Sequence, residues 1–450
     1  MERAVGTHGE QGTSLRQVVL ASVVGTVLEW YDFFIYGAAA ALVFNQLFFP
    51  GFSDLAGTMA AFGTFALGFF ARPLGGIIFG SLGDRLGRKT VLIITLLLMG
   101  IATTLMGLLP SYATIGIWAP ILLLLLRILQ GLGAGAEFGG AVVMAAEYSP
   151  VGRRGFYASL PCTGVAIGLL LSSGVFALVA SLPEEQLLSW GWRIPFLLSF
   201  LVVIVGLYIR LRVLETPVFT AVKEAGAESQ QPIREVFRTQ PKNFLVAFGA
   251  RFAENGNSYI IQAFTLTYVA TQLGLPDRVA LTGVLISSVI GLLTIPAFGA
   301  LSDRVGRRTV YLAGAAFMVL FAFPFFWLLN TEVRFLIWLA IILANSVGIY
   351  SMFSPQAAYF AELFPTRIRF SGIALSRELS APLAGGIAPF IATGLLLWSG
   401  SYWPIALYIM GLGLISVVAL YLGPETYRKE MSRREAMEEV GAQTASSTRE

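Results

Sequence analysis

The chain has 450 residues, is 56% hydrophobic and only 12% charged, and contains 48 glycines. A soluble globular protein is nearer a quarter charged, and apolar stretches of about 20 residues, long enough to cross a bilayer as helices, recur along the whole length. The formal net charge of +4 does not point to nucleic acid, because the basic residues sit in short loops between apolar runs and not on one polar face.

The single cysteine, Cys162, excludes an intramolecular disulfide. The single histidine, His8, lies in a polar N-terminal tail, which removes histidine catalysis, histidine-ligated metal and a histidine proton relay within a membrane. Proton chemistry in this chain therefore has to use carboxylates. No metal site and no cofactor is implied.

Residues 1–16 form a polar tail with no small-residue cleavage site after it, so the first apolar run reads as a retained span and not a signal peptide. Twelve apolar spans follow, at roughly 17–45, 57–82, 90–109, 117–148, 156–180, 192–212, 243–272, 279–301, 309–329, 334–361, 370–397 and 402–422. The expected fold class is an all-α membrane protein of twelve transmembrane helices. A six-helix bundle at 17–212 precedes a polar linker at 213–242, a second six-helix bundle at 243–422 and a charged tail at 423–450.

The ends of spans 2 and 8 carry one motif twice. Gly80-Ser81-Leu82-Gly83-Asp84-Arg85-Leu86-Gly87-Arg88-Lys89 is matched by Gly299-Ala300-Leu301-Ser302-Asp303-Arg304-Val305-Gly306-Arg307-Arg308, 219 residues later. A second pair closes spans 4 and 10: Glu147 followed by Pro150, Arg153 and Arg154, and Glu362 followed by Pro365, Arg367 and Arg369. A half-length repeat of membrane hairpins indicates two bundles related by duplication, the architecture of a carrier. With the N-terminus inside, 23 of the 30 basic residues fall in inner loops or tails. This bias places both termini in the cytoplasm and the chain in the inner membrane of the cell. In each motif copy the aspartate can accept hydrogen bonds from a neighbouring helix N-terminus, and the arginines can reach Glu147 or Glu362. An inner gate of Asp84, Arg85, Arg88, Asp303, Arg304, Arg307, Glu147 and Glu362 is expected.

Charges also occur within the spans, where each needs a partner or water and is a functional candidate by default. Span 1 carries Glu29, Asp32 and Tyr36 at spacings that share a helical face, and span 4 carries Arg127, Gln130 and Glu137. Span 7 carries Arg251, Glu254, Ser258 and Gln262, span 11 carries Arg377 and Glu378, and span 2 carries Arg72 beside Pro73. Three polar stripes on three helices imply a shared wet cavity. Asp32 and Arg127 are the expected proton-coupling pair, with Glu29 or Glu137 as alternatives. If Asp32 exchanges Arg127 for solvent during a cycle, its hold on a proton changes with conformation. Arg251 and Arg377 are candidates for holding an organic anion, since guanidinium binds carboxylate bidentately. Glu254, Tyr36, Gln130 and Gln262 stand beside them as candidate substrate contacts, and Asn255, Asn257, Tyr259, Asn345 and Gln356 as neutral donors or acceptors. The competing arrangement pairs Arg251 with Glu254, and Arg377 with Glu254 or, less readily because they are adjacent on the helix, with Glu378. Arg72 reads as a structural partner. Trp30, Tyr31, Phe33 and Phe34 either line the cavity or face lipid.

These motifs resemble the major facilitator superfamily over nearly the whole chain. The two charged loops look like its signature and the echo of that signature. Arg127-Ile128-Leu129-Gln130-Gly131-Leu132-Gly133-Ala134-Gly135 looks like a second signature, associated with proton coupling. Finer runs resemble the metabolite:proton symporter family: Leu28-Glu29-Trp30-Tyr31-Asp32-Phe33, Arg72-Pro73-Leu74-Gly75-Gly76, Pro110 to Pro120, and Trp190-Gly191-Trp192-Arg193. The resemblance implies a span 1 acid facing the span 4 arginine. It also implies proton symport of a metabolite such as shikimate, 2-oxoglutarate or citrate, or of proline and betaine. Antiporters of the superfamily often carry G-P-x-x-G-G in span 5, and Pro161 to Gly168 departs from it, which leans away from a drug exporter.

The expected partners are a small organic acid, protons and the lipid bilayer, with no nucleic acid, for a chain acting as a monomer. A membrane enzyme is disfavoured by the lack of H-E-x-x-H, of G-x-S-x-G and of a Cys/His pair. The alternatives kept are a zwitterion symporter and an exporter on the same fold.

Overall fold

The computed structural model describes residues 14–51, 54–276, 278–429 and 431. His8 and most of the charged C-terminal tail lie outside these residues. All regular structure among the described residues is helical.

The long helices are α1 (Leu15–Leu42), α2 (Asp54–Leu86), α3 (Arg88–Leu108), α4 (Trp118–Tyr148), α5 (Arg154–Ala180) and α6 (Glu184–Leu211) in the first half. The second half comprises α7 (241–271), α8 (Arg278–Val305), α9 (Arg307–Leu329), α10 (Arg334–Leu363), α11 (Thr366–Ser399) and α12 (Trp403–Leu422). Eleven of these are long and apolar enough to cross a membrane. The exception is α7, which is helical throughout but holds Arg251, Glu254, Asn255 and Asn257 and is interrupted by π-helical turns at Phe252–Gly256 and Ile260–Phe264. Similar wide turns fall at Ala344–Ile349 in α10 and Ala381–Gly386 in α11. A π turn inserts one residue into the ladder and turns the side chains after it to a new face. The expected linker at 213–242 folds in part, into the short helices Pro217–Glu224 and Pro232–Thr239.

Within the first half α1 packs on α5, and α4 packs on α2 and α3. Within the second, α9 packs on α12 and α8 on α10. The halves meet along two seams, α5 against α8 and α2 against α11. Glycines set these approaches. A Cβ on Gly155 would stand 2.5 Å from the Gly299 carbonyl oxygen, and one on Gly299 would stand 2.6 Å from that of Gly155. Along α2, Gly76, Gly80 and Gly83 lie under Glu378, Ala374 and Phe370 of α11. Small residues permit such contact where hydrocarbon supplies no driving force for helix association. Gly87 and Gly306 have φ of 116° and 110°, which only glycine adopts without strain. Each lets the chain reverse directly from α2 into α3, or from α8 into α9.

The α2–α4 contact gives a direct test. A Cβ on Gly75 would meet the Leu132 carbonyl oxygen at 2.0 Å, whereas one on Gly174 meets nothing within 4 Å. Gly75→Ala is expected to cost about 1–3 kcal/mol through overpacking, and Gly174→Ala almost nothing, measured as thermal loss of the monodisperse species in detergent.

Candidate transport site and gates

The duplicated loops lie on one face and bond the two halves together there. Asp84, at the end of α2, accepts from the backbone N–H groups of Phe370 (3.2 Å) and Ser371 (2.8 Å) near the start of α11. Asp303, at the end of α8, accepts from those of Gly155 (2.8 Å) and Phe156 (2.9 Å) at the start of α5. Each aspartate thus occupies a helix N-terminus of the other half, where unpaired N–H groups and the helix dipole favour negative charge. The glutamates repeat the exchange. Arg369 of the second half donates to Glu147 (2.6 Å), and Arg154 of the first half donates to Glu362 (2.9 Å). Arg88 lies 3.3 Å from Asp84 and 3.7 Å from Glu147, and Arg307 lies 2.7 Å from Asp303 and 3.4 Å from Glu362. Six of the eight expected gate residues are therefore together. Arg85 and Arg304 are exposed and take no part in these pairs. They precede the turn at Gly87 or Gly306, on the outer side of the helix end.

A third repeat completes each lock. Glu215 accepts from the Lys89 N–H at the start of α3 (3.1 Å), and Glu425 accepts from the Arg307 N–H at the start of α9 (2.8 Å). The neighbouring Thr216 donates to Glu147 (2.5 Å) and Thr426 to Glu362 (2.7 Å). The signal was in the sequence as Glu215-Thr216 and Glu425-Thr426, just after the last helix of each half. Burial raises the pKa of the Glu215 carboxyl while nearby Arg88 opposes the rise.

Midway along the helices lies a cavity between the halves. Arg251, Glu254, Asn255, Tyr259 and Gln262 of α7 and Arg377 of α11 face it from the second half. Trp30, Phe33 and Phe34 of α1 face it from the first. Arg251 donates to Glu254 (2.7 Å), Gln356 (3.2 Å) and Asn255 (3.2 Å). Arg377 is held more loosely, 3.4 Å from Glu378 and 3.4 Å from the Gln356 oxygen, with its guanidinium 3.5 Å from the Phe138 ring centroid. The Arg377–Glu378 contact, expected to be disfavoured between adjacent residues, does form, through the Arg377 Nε. Tyr36 and Gln130 do not line this cavity, contrary to expectation. Tyr36 is fully buried in the first half against Thr64, and Gln130 turns towards Arg127 and α3. Tyr31 also points inward, donating to the Pro195 carbonyl.

The first-half charges sort into separate sites. The Asp32 carboxylate accepts from Thr103 of α3 (2.7 Å) and from Ser199 of α6. It is not in direct contact with Arg127: Gln130 lies between, donating to Thr103 at 2.7 Å and accepting from Arg127. The Arg127 guanidinium lies 4.3 Å from the Tyr36 ring centroid and 4.7 Å from that of Phe65. The expected face-to-face acid and arginine are thus a relay of four side chains. Glu29, one turn before Asp32, turns the other way to Arg72 (2.7 Å). Arg72 in turn reaches Glu378 of the second half (2.9 Å), so it joins three helices and does not serve only α2. Glu29, Arg72, Arg127 and Gln130 share a smaller chamber. Glu137 is bound by Arg210 of α6 and by Thr95 (3.1 Å). Sequence reasoning missed Thr103, Ser199 and Arg210. The hydroxyls carry no signal in an apolar run, and Arg210 lies at the end of a span, where an arginine reads as topogenic.

A helical membrane protein whose halves meet at a charged central cavity and lock together on one face is built as a carrier. Family comparison agrees: residues 22–377 match the Major Facilitator Superfamily, and the chain belongs to that family. It is a multi-pass membrane transporter and not an enzyme. It is 41% identical over 433 residues to the shikimate transporter of Escherichia coli K12, covering 94% of this chain and 99% of the relative. It is 36% identical over 425 residues to the proline/betaine transporter of the same organism, covering 91% and 83%. In fold it is similar to the proton:xylose symporter XylE bound to 6-bromo-6-deoxy-D-glucose, with a TM-score of 0.73, 18% identity and coverage of 94% and 98%.

The Glu137–Arg210 pair yields a test of structural against functional roles. Arg210→Met leaves a buried carboxylate with one hydroxyl partner, a change that typically costs about 3–5 kcal/mol. It is expected to abolish recovery of monodisperse protein, and the double variant Arg210→Met/Glu137→Leu to restore it with transport intact. Lost transport in the well-folded double variant would assign Glu137 to the cycle.

Proposed function

We propose that this transporter carries a small organic acid inward together with protons by alternating access, across the bacterial inner membrane and with both termini in the cytoplasm. The observation that carries the reading is the charge of the central cavity, which two guanidinium groups face against one carboxylate. Arg377 has the weaker partners of the two arginines and is free to turn a guanidinium edge to a carboxylate ligand. The 41% identity to a shikimate transporter supports a cyclic or small carboxylic acid, and the fold shared with a proton:xylose symporter supports proton coupling.

In this reading the loop-motif face is cytoplasmic and closed in the present structure. Asp32 carries the coupling proton. Its charge is held by Thr103 and Ser199, and Gln130 transmits its state to Arg127. Arg127 stands on Phe33, whose ring also lines the substrate cavity, so protonation alters the cavity wall. The two locks of Asp84 with Glu147 and Asp303 with Glu362 then part to release substrate and proton inside. The chain works as a monomer, since both gates and the cavity are complete within it.

A zwitterion is the second reading, favoured by the aromatic wall of Trp30, Phe33, Phe34, Tyr259, Tyr350 and Phe353. Such a wall suits a quaternary ammonium, and the proline/betaine transporter is a relative at 36% identity.

Two measurements in proteoliposomes test these assignments. Asp32→Asn is expected to abolish accumulation driven by an imposed proton gradient while substrate exchange at equal pH continues; unchanged accumulation removes Asp32 from the coupling role. Arg377→Gln is expected to raise the half-saturating concentration of the transported acid about tenfold or more, the scale of one lost charge-assisted hydrogen bond. A competition panel spanning shikimate-like acids, dicarboxylates and betaines fixes the class, and transport of zwitterions alone would overturn the acid reading.

A further inference from the structure

Arg72 is the only described residue that pairs at membrane depth with carboxylates of both halves. Its Nη2 lies 2.7 Å from Glu29 of α1 and its Nε lies 2.9 Å from Glu378 of α11. All three side chains are almost fully buried. Glu378 is also a rung of the α2–α11 seam. Phe370, Ala374 and Glu378 succeed one another along α11, and they lie over Gly83, Gly80 and Gly76 of α2. The seam therefore links the Asp84 lock at the loop-motif face to the Arg72–Glu378 pair deeper along the helices.

The two partners of Arg72 fare differently when the seam parts. Glu29 belongs to the same half and moves with Arg72. Glu378 belongs to the other half and leaves. Its remaining charged partner is Arg377, 3.4 Å away on its own helix, and near Arg377 stand Arg251 and Glu254 of α7, which already bind each other. Tyr259 of α7, Glu29 of α1 and Arg127 of α4 also face Arg72. A carboxylate that loses a 2.9 Å guanidinium in a buried site is left as a poorly compensated charge, and this costs several kcal/mol unless the group is protonated or hydrated.

We propose that Glu378 is a coupling residue of the second half: it exchanges Arg72 for a proton when the α2–α11 seam opens, so that protonation releases the seam and deprotonation closes it. The proposal rests on the alternating-access reading above and adds a conformational sensor that is separate from Asp32. The proton comes from the aqueous cavity, adds to a Glu378 oxygen as the Arg72 hydrogen bond breaks, and returns to water when the pair re-forms. Arg72 stays charged throughout, held by Glu29. Proton binding and seam opening are then reciprocal, each favouring the other by the same factor.

The test uses the full chain in proteoliposomes without substrate. Ser371 is a suitable reporter: it is fully buried on the seam, so Ser371→Cys in a Cys162→Ala background places one thiol there. Labelling by a thiol reagent is normalised at each pH to the same cysteine in unfolded protein. In the parent, labelling is expected to rise as pH falls from 7.5 to 5.5. With Glu378→Gln it is expected to be high, about threefold or more above the parent at neutral pH, and independent of pH. Should that variant fail to fold, Glu378→Asp carries the test. It is one methylene too short to reach Arg72 but still titrates, and it is expected to show raised labelling at neutral pH with a pH response retained. Labelling by either variant that follows the parent at every pH overturns the proposal. Loss of proton-driven accumulation in Asp32→Asn beside an unchanged seam response in Glu378→Gln leaves the symport reading standing and removes this one. A seam response lost in Glu378→Gln in a parent that accumulates no substrate does the reverse.

Discussion

A carboxylate withdrawn from water is destabilising unless something replaces the water, and this constraint organises the whole molecule. Each buried acid has a specific substitute. Asp84 and Asp303 are solvated by the backbone N–H groups at the starts of α11 and α5. Glu137 and Glu254 have arginines of their own half. Asp32 has two hydroxyls, and Glu29 and Glu378 share one guanidinium. The substitutes differ in durability across a cycle. Those supplied within one half persist when the halves separate, whereas those supplied across the interface are lost. The cross-half set, comprising both aspartates, Glu147, Glu362 and Glu378, therefore marks the carboxylates that would lose a partner in the proposed cycle.

The two locks are not redundant, because they sit on different seams. The Asp84 lock closes α2 on α11, and the Asp303 lock closes α8 on α5. In the proposed cycle both must yield for one mouth to open. Neither includes an exposed ion pair that salt would screen, since Arg88, Arg307 and Arg369 are fully buried. Closure thus rests on charge burial and on backbone donors held at fixed positions by helix ends. It is cooperative for the same reason: one helix N-terminus cannot leave its aspartate without also withdrawing its arginine from the glutamate beside it.

Much of this was legible in the sequence. The duplicated loops pointed to the side chains that bond the halves together on one face, since an aspartate between two helices on a reversing glycine has few structural roles other than capping. The intramembrane arginines gave the cavity, because charge at that depth has to face water or a partner. Other features were not legible, for identifiable physical reasons. Spacing placed Glu29 and Asp32 on one face, yet one turn of helix was enough to give them different neighbours, Arg72 and Thr103. The relay through Gln130 needed distances that no pattern supplies. The polarity of α7 was readable, but its π turns were not, because a one-residue insertion in the hydrogen-bond ladder leaves the composition untouched. Arg85 and Arg304 misled in the opposite direction, since charge within a motif does not reveal which side of a helix end it occupies.

The third repeat bears on how the molecule is made. In the first half the segment that finishes the lock, Glu215 and Thr216, follows directly on α6 and is available as soon as that bundle is complete. In the second half the equivalent residues, Glu425 and Thr426, come after α12. The Lys429 carbonyl just beyond them accepts from Arg154 of the first half at 2.9 Å. The ribosome delivers this segment last of all the described structure. Until it emerges, the start of α9 lacks its cap and Glu362 lacks the Thr426 hydroxyl, though it keeps Arg154 and Arg307. The first lock can therefore be completed within the nascent first half and α11, whereas the second receives its last hydrogen bonds only from the segment that follows α12.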